Sequence, residues 1–141
     1  MHSDDRLLVG FDLKKDTKIL NAAYNDKEGY TEKFNLNLLT RINNELDADI
    51  NLNNFKHLAF FNNSQNRIEI HIESLKDQDV SINAIKQKIH FKNGERIHTE
   101  NSYKFTSHTI SRLLHQSGLH LEKYWRDENE WFCVAMGRIS T

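Results

Sequence analysis

The chain has 141 residues, 38% hydrophobic and 28% charged, which is the length and composition of one globular domain. The 19 Lys and Arg residues against 20 Asp and Glu residues leave a net charge of −1, which excludes the strongly basic surface expected for nucleic-acid or anionic-membrane binding. No run of about 18 apolar residues is present, so the sequence predicts no membrane-spanning helix.

Two features of the sequence bear on cellular location, the N-terminal residues and the single cysteine. Residues 1–5 are not a basic region followed by an apolar stretch, so we expect no secretory signal. The single cysteine, Cys133, cannot form an internal disulfide, which favours a reducing compartment and predicts a cytoplasmic protein. Because Cys133 lies in an apolar run, we expect a buried small hydrophobe rather than a nucleophile.

The first third of the chain predicts one strand and two helices. The apolar run 7–13 is typical of a strand buried on both faces of a parallel α/β sheet. Nothing else in the chain offers neighbours for such a strand, so we expect the missing part to lie upstream. A short helix capped by Asp16 ends at Tyr24, and apolar residues recurring every four positions predict a second helix over 31–46.

The middle of the chain changes to the two-residue period of strands. Segments 55–61 and 67–73 predict a hairpin, with its apolar side chains on one face and His71 facing solvent. Further strands are expected at 80–82 and 85–91. The Asn-Gly turn within 92–95 then leads into an extended segment over 96–105, which together predicts a meandering antiparallel sheet.

The last third predicts one helix and two strands. The helix begins at Ser107 and ends before Gly118, which is placed as its C′ residue. Its buried stripe consists of three apolar residues: Ile110, Leu113 and Leu114. The strands 119–125 and 131–137 follow.

One spacing in the sixth strand suggests chemistry. Side chains alternate along a strand, so Glu100 and Ser102 point to the same face, and Ile97, Tyr103 and Phe105 are expected on the other. A carboxylate beside a hydroxyl suits a planar ring with two nitrogens, such as imidazole. From spacing alone, however, two solvated strand residues are the favoured interpretation.

Other candidate groups are weaker. Tyr24 closes a helix before a loop and can stack on a ligand, although a tyrosine at the edge of the core is the commoner outcome. None of the eight histidines has metal-ligand spacing, so we expect solvent-facing histidines and no metal site. No Gly-rich loop follows a strand, which predicts no nucleotide or adenosyl cradle in this chain.

Six ordered segments nevertheless resemble the C-terminal part of the histidine-specific, S-adenosylmethionine (SAM)-dependent methyltransferases, the family of the L-histidine Nα-methyltransferases of ergothioneine biosynthesis. The matching segments cover nearly the whole chain: 7–16, 21–26, 29–39, 43–49, 66–71 and 99–105. Each is weak alone, but their order and spacing are those of the family.

The resemblance implies a C-terminal fragment of an α+β enzyme, well under half of a family chain. Residues 1–15 then end a strand of an incomplete Rossmann-like methyltransferase domain. Residues 16–104 form an antiparallel-sheet substrate-recognition domain with helices, and residues 105–141 return to the methyltransferase domain as a helix and a hairpin.

The resemblance also implies methyl transfer from SAM to the α-amine of histidine or a related amino acid. Glu100 and Ser102 match the pair that holds the substrate imidazole, and Tyr24 matches a tyrosine that lines the pocket. Ile70 stands where the ergothioneine enzymes typically have methionine, which changes the shape of the site. The catalytic base and the cofactor-binding residues have no counterpart here, so the isolated chain is expected to be inactive.

Two alternatives remain open at this point: a non-catalytic module that binds a small ligand, and a subunit completed by a separately encoded cofactor domain. The expected partners are a small amino-acid substrate and either a missing N-terminal cofactor domain or a second copy of the chain, with neither nucleic acid nor membrane. Self-association is expected to bury four apolar residues: Leu7, Val9, Trp131 and Val134.

Overall fold

The computed structural model describes residue 2 and residues 4–139, and it divides the chain into two compact units. Unit 1 comprises Met1–Asp16, Asn63–Arg67 and Tyr103–Thr141, and unit 2 comprises Thr17–Asn62 and Ile68–Ser102. The described residues form helices and antiparallel sheets, as the predicted α+β class requires. No helix in this part of the chain is long and apolar enough to cross a bilayer.

The predicted helices and strands are present, with boundaries that agree to within two residues. In chain order they are β1 (Arg6–Asp12), α1 (Thr17–Tyr24), α2 (Tyr30–Leu46), β2 (Phe55–Asn62), β3 (Arg67–Ser74), β4 (Gln78–Ile82), β5 (Gln87–Phe91), β6 (Arg96–Tyr103), α3 (Ser107–Gln116), β7 (Leu119–Arg126) and β8 (Phe132–Ile139). Two short 3₁₀ turns, Leu52–Asn54 and Asn83–Ile85, precede β2 and β5.

The sheet of unit 1 has the order β1-β8-β7, and β8 runs antiparallel to both neighbours. The whole of β1 pairs with β8, from Arg6 opposite Arg138 to Asp12 opposite Phe132. The expectation that this chain holds no neighbour for its first strand was therefore wrong. The partner is the last strand in sequence, and the apolar pattern of a single strand carries no information about what pairs with it.

One face of this sheet packs against α3 through Phe11, Ile110, Leu114 and Cys133. Cys133 is 2% exposed, and burial raises the pKa of its thiol, so it is the buried small hydrophobe that the sequence predicted. Leu113, in contrast, is exposed, although it was expected in the buried stripe of the helix.

The opposite face of the unit 1 sheet is apolar and open among the described residues. Leu8, Trp125 and Phe132 are exposed there, and Leu8 is 62% exposed. The ring of Phe132 lies across Gly10, where a Cβ atom would come within 2.6 Å of it, so a larger residue at this position requires the ring to move. Of the four residues expected to be open to a partner, Leu7 and Trp131 are exposed. Val9 instead packs with the α3 cluster, and Val134 is half-buried although it lies on the open face.

Unit 2 is built on the sheet β2-β3-β6, with helices packed on one face. Leu20 of α1 packs with Phe61, Ile68 and Ile70, and Leu39 of α2 belongs to a second cluster of buried residues: Ile50, Phe55, Ile72, Val80 and Ile82. The alternating isoleucines of β3 therefore form the predicted core face.

The predicted meander was wrong at two of its pairings, β3 with β4 and β5 with β6, because the strands form two separate sheets. β5 pairs with β4 in a separate antiparallel hairpin, and β6 lies beside β3 instead. The turn before β6 bonds to the end of β3: the Ser74 N–H donates to the Glu95 carbonyl and the Gly94 N–H donates to the Ser74 carbonyl, both at 2.8 Å. Gly94 has φ +79°, a left-handed conformation that glycine adopts without steric cost.

Candidate functional site

A cavity of about 250 Å³ lies between the helices and the sheet of unit 2. Tyr24 lines it from the end of α1, Ile70 from β3 and Glu100 from β6. The rest of the lining comes from α1, through Ala23, and from α2, through Thr31, Phe34 and Asn35. Three residues singled out from the sequence thus share one cavity, although they are far apart along the chain.

Ser102, the fourth residue, joins this group through Tyr24. Its Oγ lies 2.7 Å from the Tyr24 hydroxyl, a short hydrogen bond in which either oxygen can donate. The structure therefore brings all four together, while their role toward a ligand stays a prediction.

Strand β6 departs from regular alternation where it meets the cavity. Glu100 and Ser102 lie on the helix side, as expected, but so does Thr99, whose hydroxyl donates to Oδ1 of Asn35 at 2.8 Å. Adjacent residues on one face require a local break in the pleat. This break presents a hydroxyl and a carboxylate side by side.

Of the three residues expected on the face of β6 opposite Glu100 and Ser102, two pack in a core and one is exposed. Ile97 packs with the cluster beneath α2, on the same side as Thr99, because of that break in alternation. Tyr103 is 50% exposed and lies beside Arg67. Phe105 does pack in a core, that of unit 1, edge-on to Phe11 at a centroid distance of 4.9 Å.

Asn35 is the polar centre of the site, and sequence reasoning missed it. The residue is buried on the inner face of α2, whereas Phe34, a member of the apolar repeat, is 75% exposed. The Asn35 amide nitrogen donates to the carbonyl of His71 at 2.9 Å, and its oxygen accepts from Thr99. The available signal was an asparagine four residues before the buried Leu39, one helical turn away.

The same asparagine fixes His57 and, through it, Tyr24. The Asn35 nitrogen lies 3.0 Å from Nδ1 of His57, and because this nitrogen can only donate, Nδ1 accepts. The proton of the neutral ring then sits on Nε2, which donates to the Tyr24 carbonyl at 2.9 Å. This chain of hydrogen bonds holds the end of α1 against β2.

The N-terminus of α2 is held by a carboxylate. Hydrogen bonds from the Thr31 hydroxyl and from the backbone N–H groups of Thr31 and Tyr30 lower the pKa of Asp26 to about 2. Asp26 is therefore ionised at neutral pH, where a negative charge at a helix N-terminus is favourable. The first turn of α2, which carries Thr31 toward the cavity, is fixed by it.

Glu100 stands between two cavities. The second, of about 210 Å³, is lined by Leu38, Arg41 and Thr99 among others, and the Arg41 guanidinium is paired with Glu45 at 2.8 Å. The Glu100 carboxylate makes no hydrogen bond to any residue that the structure describes. It is therefore an available acceptor at the cavity wall.

On the face of the β2-β3-β6 sheet that points away from the helices, one prediction about histidine was wrong. His71 was expected to face solvent, but it is only 9% exposed, because its ring lies between Phe60 at 5.5 Å and His98 at 4.4 Å. Burial lowers the pKa of His71, and this outweighs the opposing effect of nearby Glu69. His98, as expected, is exposed.

Comparison with known proteins identifies the family. The family model described as histidine-specific methyltransferase, SAM-dependent, matches residues 1–139. The chain belongs to this family. Its members are enzymes: the histidine N-alpha-methyltransferase of Mycobacterium tuberculosis (strain CDC 1551 / Oshkosh) is 39% identical over 136 residues, which are 96% of this chain and 42% of that protein.

A second relative gives the same result. The histidine N-alpha-methyltransferase of Mycolicibacterium smegmatis (strain ATCC 700084 / mc(2)155) is 39% identical over 123 residues, which are 87% of this chain and 38% of that protein. The chain thus spans about two fifths of the length of these histidine-specific methyltransferases.

Proposed function

We propose that this chain supplies the substrate-binding part of an enzyme that methylates the α-amine of histidine or a related amino acid, with SAM as methyl donor. The observation that carries the proposal is the convergence of Tyr24, Ile70 and Glu100 on one cavity, with Ser102 bonded to Tyr24. Membership of the family supports the reaction class.

The polar groups match the two nitrogens of an imidazole. A neutral imidazole has one N–H donor and one acceptor nitrogen. Glu100 accepts the N–H, because a carboxylate has only acceptor oxygens. Ser102, whose hydroxyl can donate as well as accept, is the group that we propose for the second ring nitrogen.

The apolar groups and the size of the cavity suit a small side chain. Ile70 is 3% exposed and forms an apolar wall, against which the carbon edge of a ring packs. Pockets for drug-sized ligands usually hold about 300–1,000 Å³, so a cavity near 250 Å³ fits one amino-acid side chain. Holding the ring sets where the α-amine points, which is the alignment that a displacement reaction needs.

The residues described here do not fit a SAM cradle. Adenosyl-binding sites of this class place a Gly-rich loop between a strand and a helix. Gly29 follows α1, Gly94 lies between two strands and Gly118 lies between α3 and β7, so none of them is in that position. We therefore propose that SAM, which supplies the methyl group, is held by a part of the enzyme without a counterpart in this chain. The isolated chain is then inactive.

We further propose that unit 1 belongs to that incomplete Rossmann-like domain and unit 2 to the substrate-recognition domain. Two features of unit 1 support this: β1 is an edge strand among the described residues, and its sheet has an apolar face opposite α3. Sheets of α/β domains carry helices on both faces. A cytoplasmic location accords with the lone buried thiol of Cys133.

The test is calorimetric titration of histidine into the chain, with and without SAM. Glu100→Ala is expected to weaken histidine binding at least about tenfold, since a charged hydrogen bond contributes roughly 1.5–3 kcal/mol. Glu95→Ala, in the exposed turn before β6, is the matched control and is expected to leave the affinity unchanged. Equal affinities for the wild type and Glu100→Ala would contradict the proposed pocket.

Three further measurements separate the alternatives. Methyl transfer by the complete enzyme, lost in Glu100→Ala while the protein stays folded, supports the catalytic interpretation. Histidine binding without any transfer in the complete protein would support a non-catalytic ligand-binding module. Transfer that appears only after a separately encoded cofactor protein is added would identify a subunit of a two-part enzyme.

A further inference from the structure

A second group of chemically active side chains lies on the outer face of the unit 2 sheet. Glu69 and His71 are on β3, and His98 is on β6 beside it. One ligand-type atom from each residue lies within 4.8 Å of the others. Because neighbours in β3 alternate, these side chains point away from the cavity that Ile70 lines, and the group is separate from the proposed substrate site.

The buried histidine in this group lacks hydrogen-bond partners. Both ring nitrogens of His71 are inaccessible to solvent, and neither makes a hydrogen bond within the described residues. Nε2 lies 3.5 Å from Oε2 of Glu69, which is longer than a normal hydrogen bond. Buried polar groups are almost always satisfied, so an orphaned imidazole facing a carboxylate indicates a missing ligand.

The Glu69 carboxylate is held in place by a hydrogen bond, as metal-binding carboxylates in proteins commonly are. Asn62 donates to Oε1 of Glu69 at 2.9 Å, which leaves Oε2 as the oxygen that faces His71. Hydrogen bonds of this kind fix the ligands of metal centres in proteins. The neighbouring Arg96 is held by Glu73 at 2.7 Å, a carboxylate that also pairs with Lys56.

We propose that Glu69, His71 and His98 bind one divalent transition-metal ion, of which zinc is the best-suited example. Two imidazoles and one carboxylate form a ligand set that zinc accepts, with a fourth position left to water. Zinc ligands lie about 2.0–2.1 Å from the metal and therefore roughly 3.3 Å from one another.

The cluster reaches that geometry by moving its exposed member. His71 is buried against Phe60 and Glu69 is held by Asn62, but His98 is exposed and its Nε2 contacts Asn101 Oδ1 at 2.9 Å on the surface. A rotation of the His98 ring out of its stack on His71 turns a nitrogen toward the other two ligands. Metal binding thus replaces the contact with Asn101.

The experiment is isothermal titration of Zn²⁺ into the metal-free 141-residue chain, with Co²⁺ absorption as a second readout. We expect one zinc ion per chain and visible cobalt bands of a four- or five-coordinate site. His98→Ala removes the exposed ligand, and it is expected to weaken zinc binding at least tenfold. Glu69→Gln keeps the acceptor for Asn62 but removes the anionic ligand, and the same loss is expected.

His90→Ala is the matched control, because His90 and Asp79 form an exposed histidine–carboxylate pair at 2.8 Å elsewhere in unit 2. It is expected to leave the zinc affinity unchanged, and circular dichroism confirms that each variant is folded. Absence of one-to-one binding, or equal affinity in His98→Ala and the wild type, would overturn the site. A loss caused by His90→Ala instead would show surface binding only.

Discussion

The two three-stranded sheets of this protein differ in the chemistry of their outer faces, which are the faces without packed helices. In unit 2 the outer face is charged: Lys56 and Arg96 both pair with Glu73, at 2.8 and 2.7 Å, and these bonds lower the pKa of Glu73. In unit 1 the corresponding face is apolar, and Leu8, Trp125 and Phe132 are exposed on it.

The charged face of unit 2 is favourably solvated, whereas the apolar face of unit 1 is not. Charged side chains on a strand are well solvated, so the outer face of unit 2 needs no protein cover. Contiguous exposed apolar residues mark a surface that another protein element covers. Unit 2 therefore has an outer face that needs no covering element, whereas unit 1 has an apolar outer face that lacks one. Three substitutions test this comparison.

The largest effect is expected at the covered face of unit 1. Leu114→Ala removes a side chain that is 3% exposed from the contact between α3 and the sheet. We expect the free energy of unfolding to fall by about 3 kcal/mol, because a cavity is left behind. Chemical denaturation measures it. Leu113→Ala, one residue earlier but exposed, is the control, and an equal loss there would show that α3 packs differently.

An intermediate effect is expected at the covered face of unit 2. Asn35→Ala leaves the His71 carbonyl, His57 and Thr99 without their shared partner, which costs about 1–3 kcal/mol of unfolding free energy. Thermal unfolding followed by circular dichroism measures the loss. Asn37→Ala, on the exposed side of α2, should change stability by less than about 0.5 kcal/mol. A similarly small change in both variants would contradict the central contribution of Asn35 to the stability of unit 2.

The smallest effect on stability is expected at the outer faces themselves. Leu8→Ser should alter the unfolding free energy by less than about 0.5 kcal/mol, because Leu8 is mostly exposed. It should nevertheless reduce self-association of the chain in sedimentation velocity. Lys56→Ala, on the charged face of unit 2, should change neither quantity. A wild-type chain that sediments as a monomer at all concentrations would contradict an exposed docking face.

The elements of the fold were predictable because each leaves a local pattern. The alternation of Ile68, Ile70 and Ile72 is visible in β3 alone, and Gly118, with φ +73°, ends α3 as its position indicated. Pairing was not predictable in the same way. Nothing within β1 reveals that its partner is β8, and nothing in the Asn-Gly turn reveals that β6 leaves β5 for β3.

The candidate site was predictable in part for the same reason. Strand spacing singled out Glu100 and Ser102 and the end of a helix singled out Tyr24, but only the family resemblance assigned these residues and Ile70 to a substrate pocket. Asn35 and the buried state of His71 were missed, because each depends on partners from other elements. A polar residue on a helix shows its role only when its neighbours across the sheet are known.

The sequence by itself determined the class of the protein, its helices and strands, and the residue types offered to a ligand, since these follow from composition, periodicity and ordered motifs. Only the tertiary structure decided which strands pair, which histidine is buried and which side chains meet at the cavity. Such contacts join residues distant along the chain, and their free energy depends on the packing of whole elements, which no local pattern records.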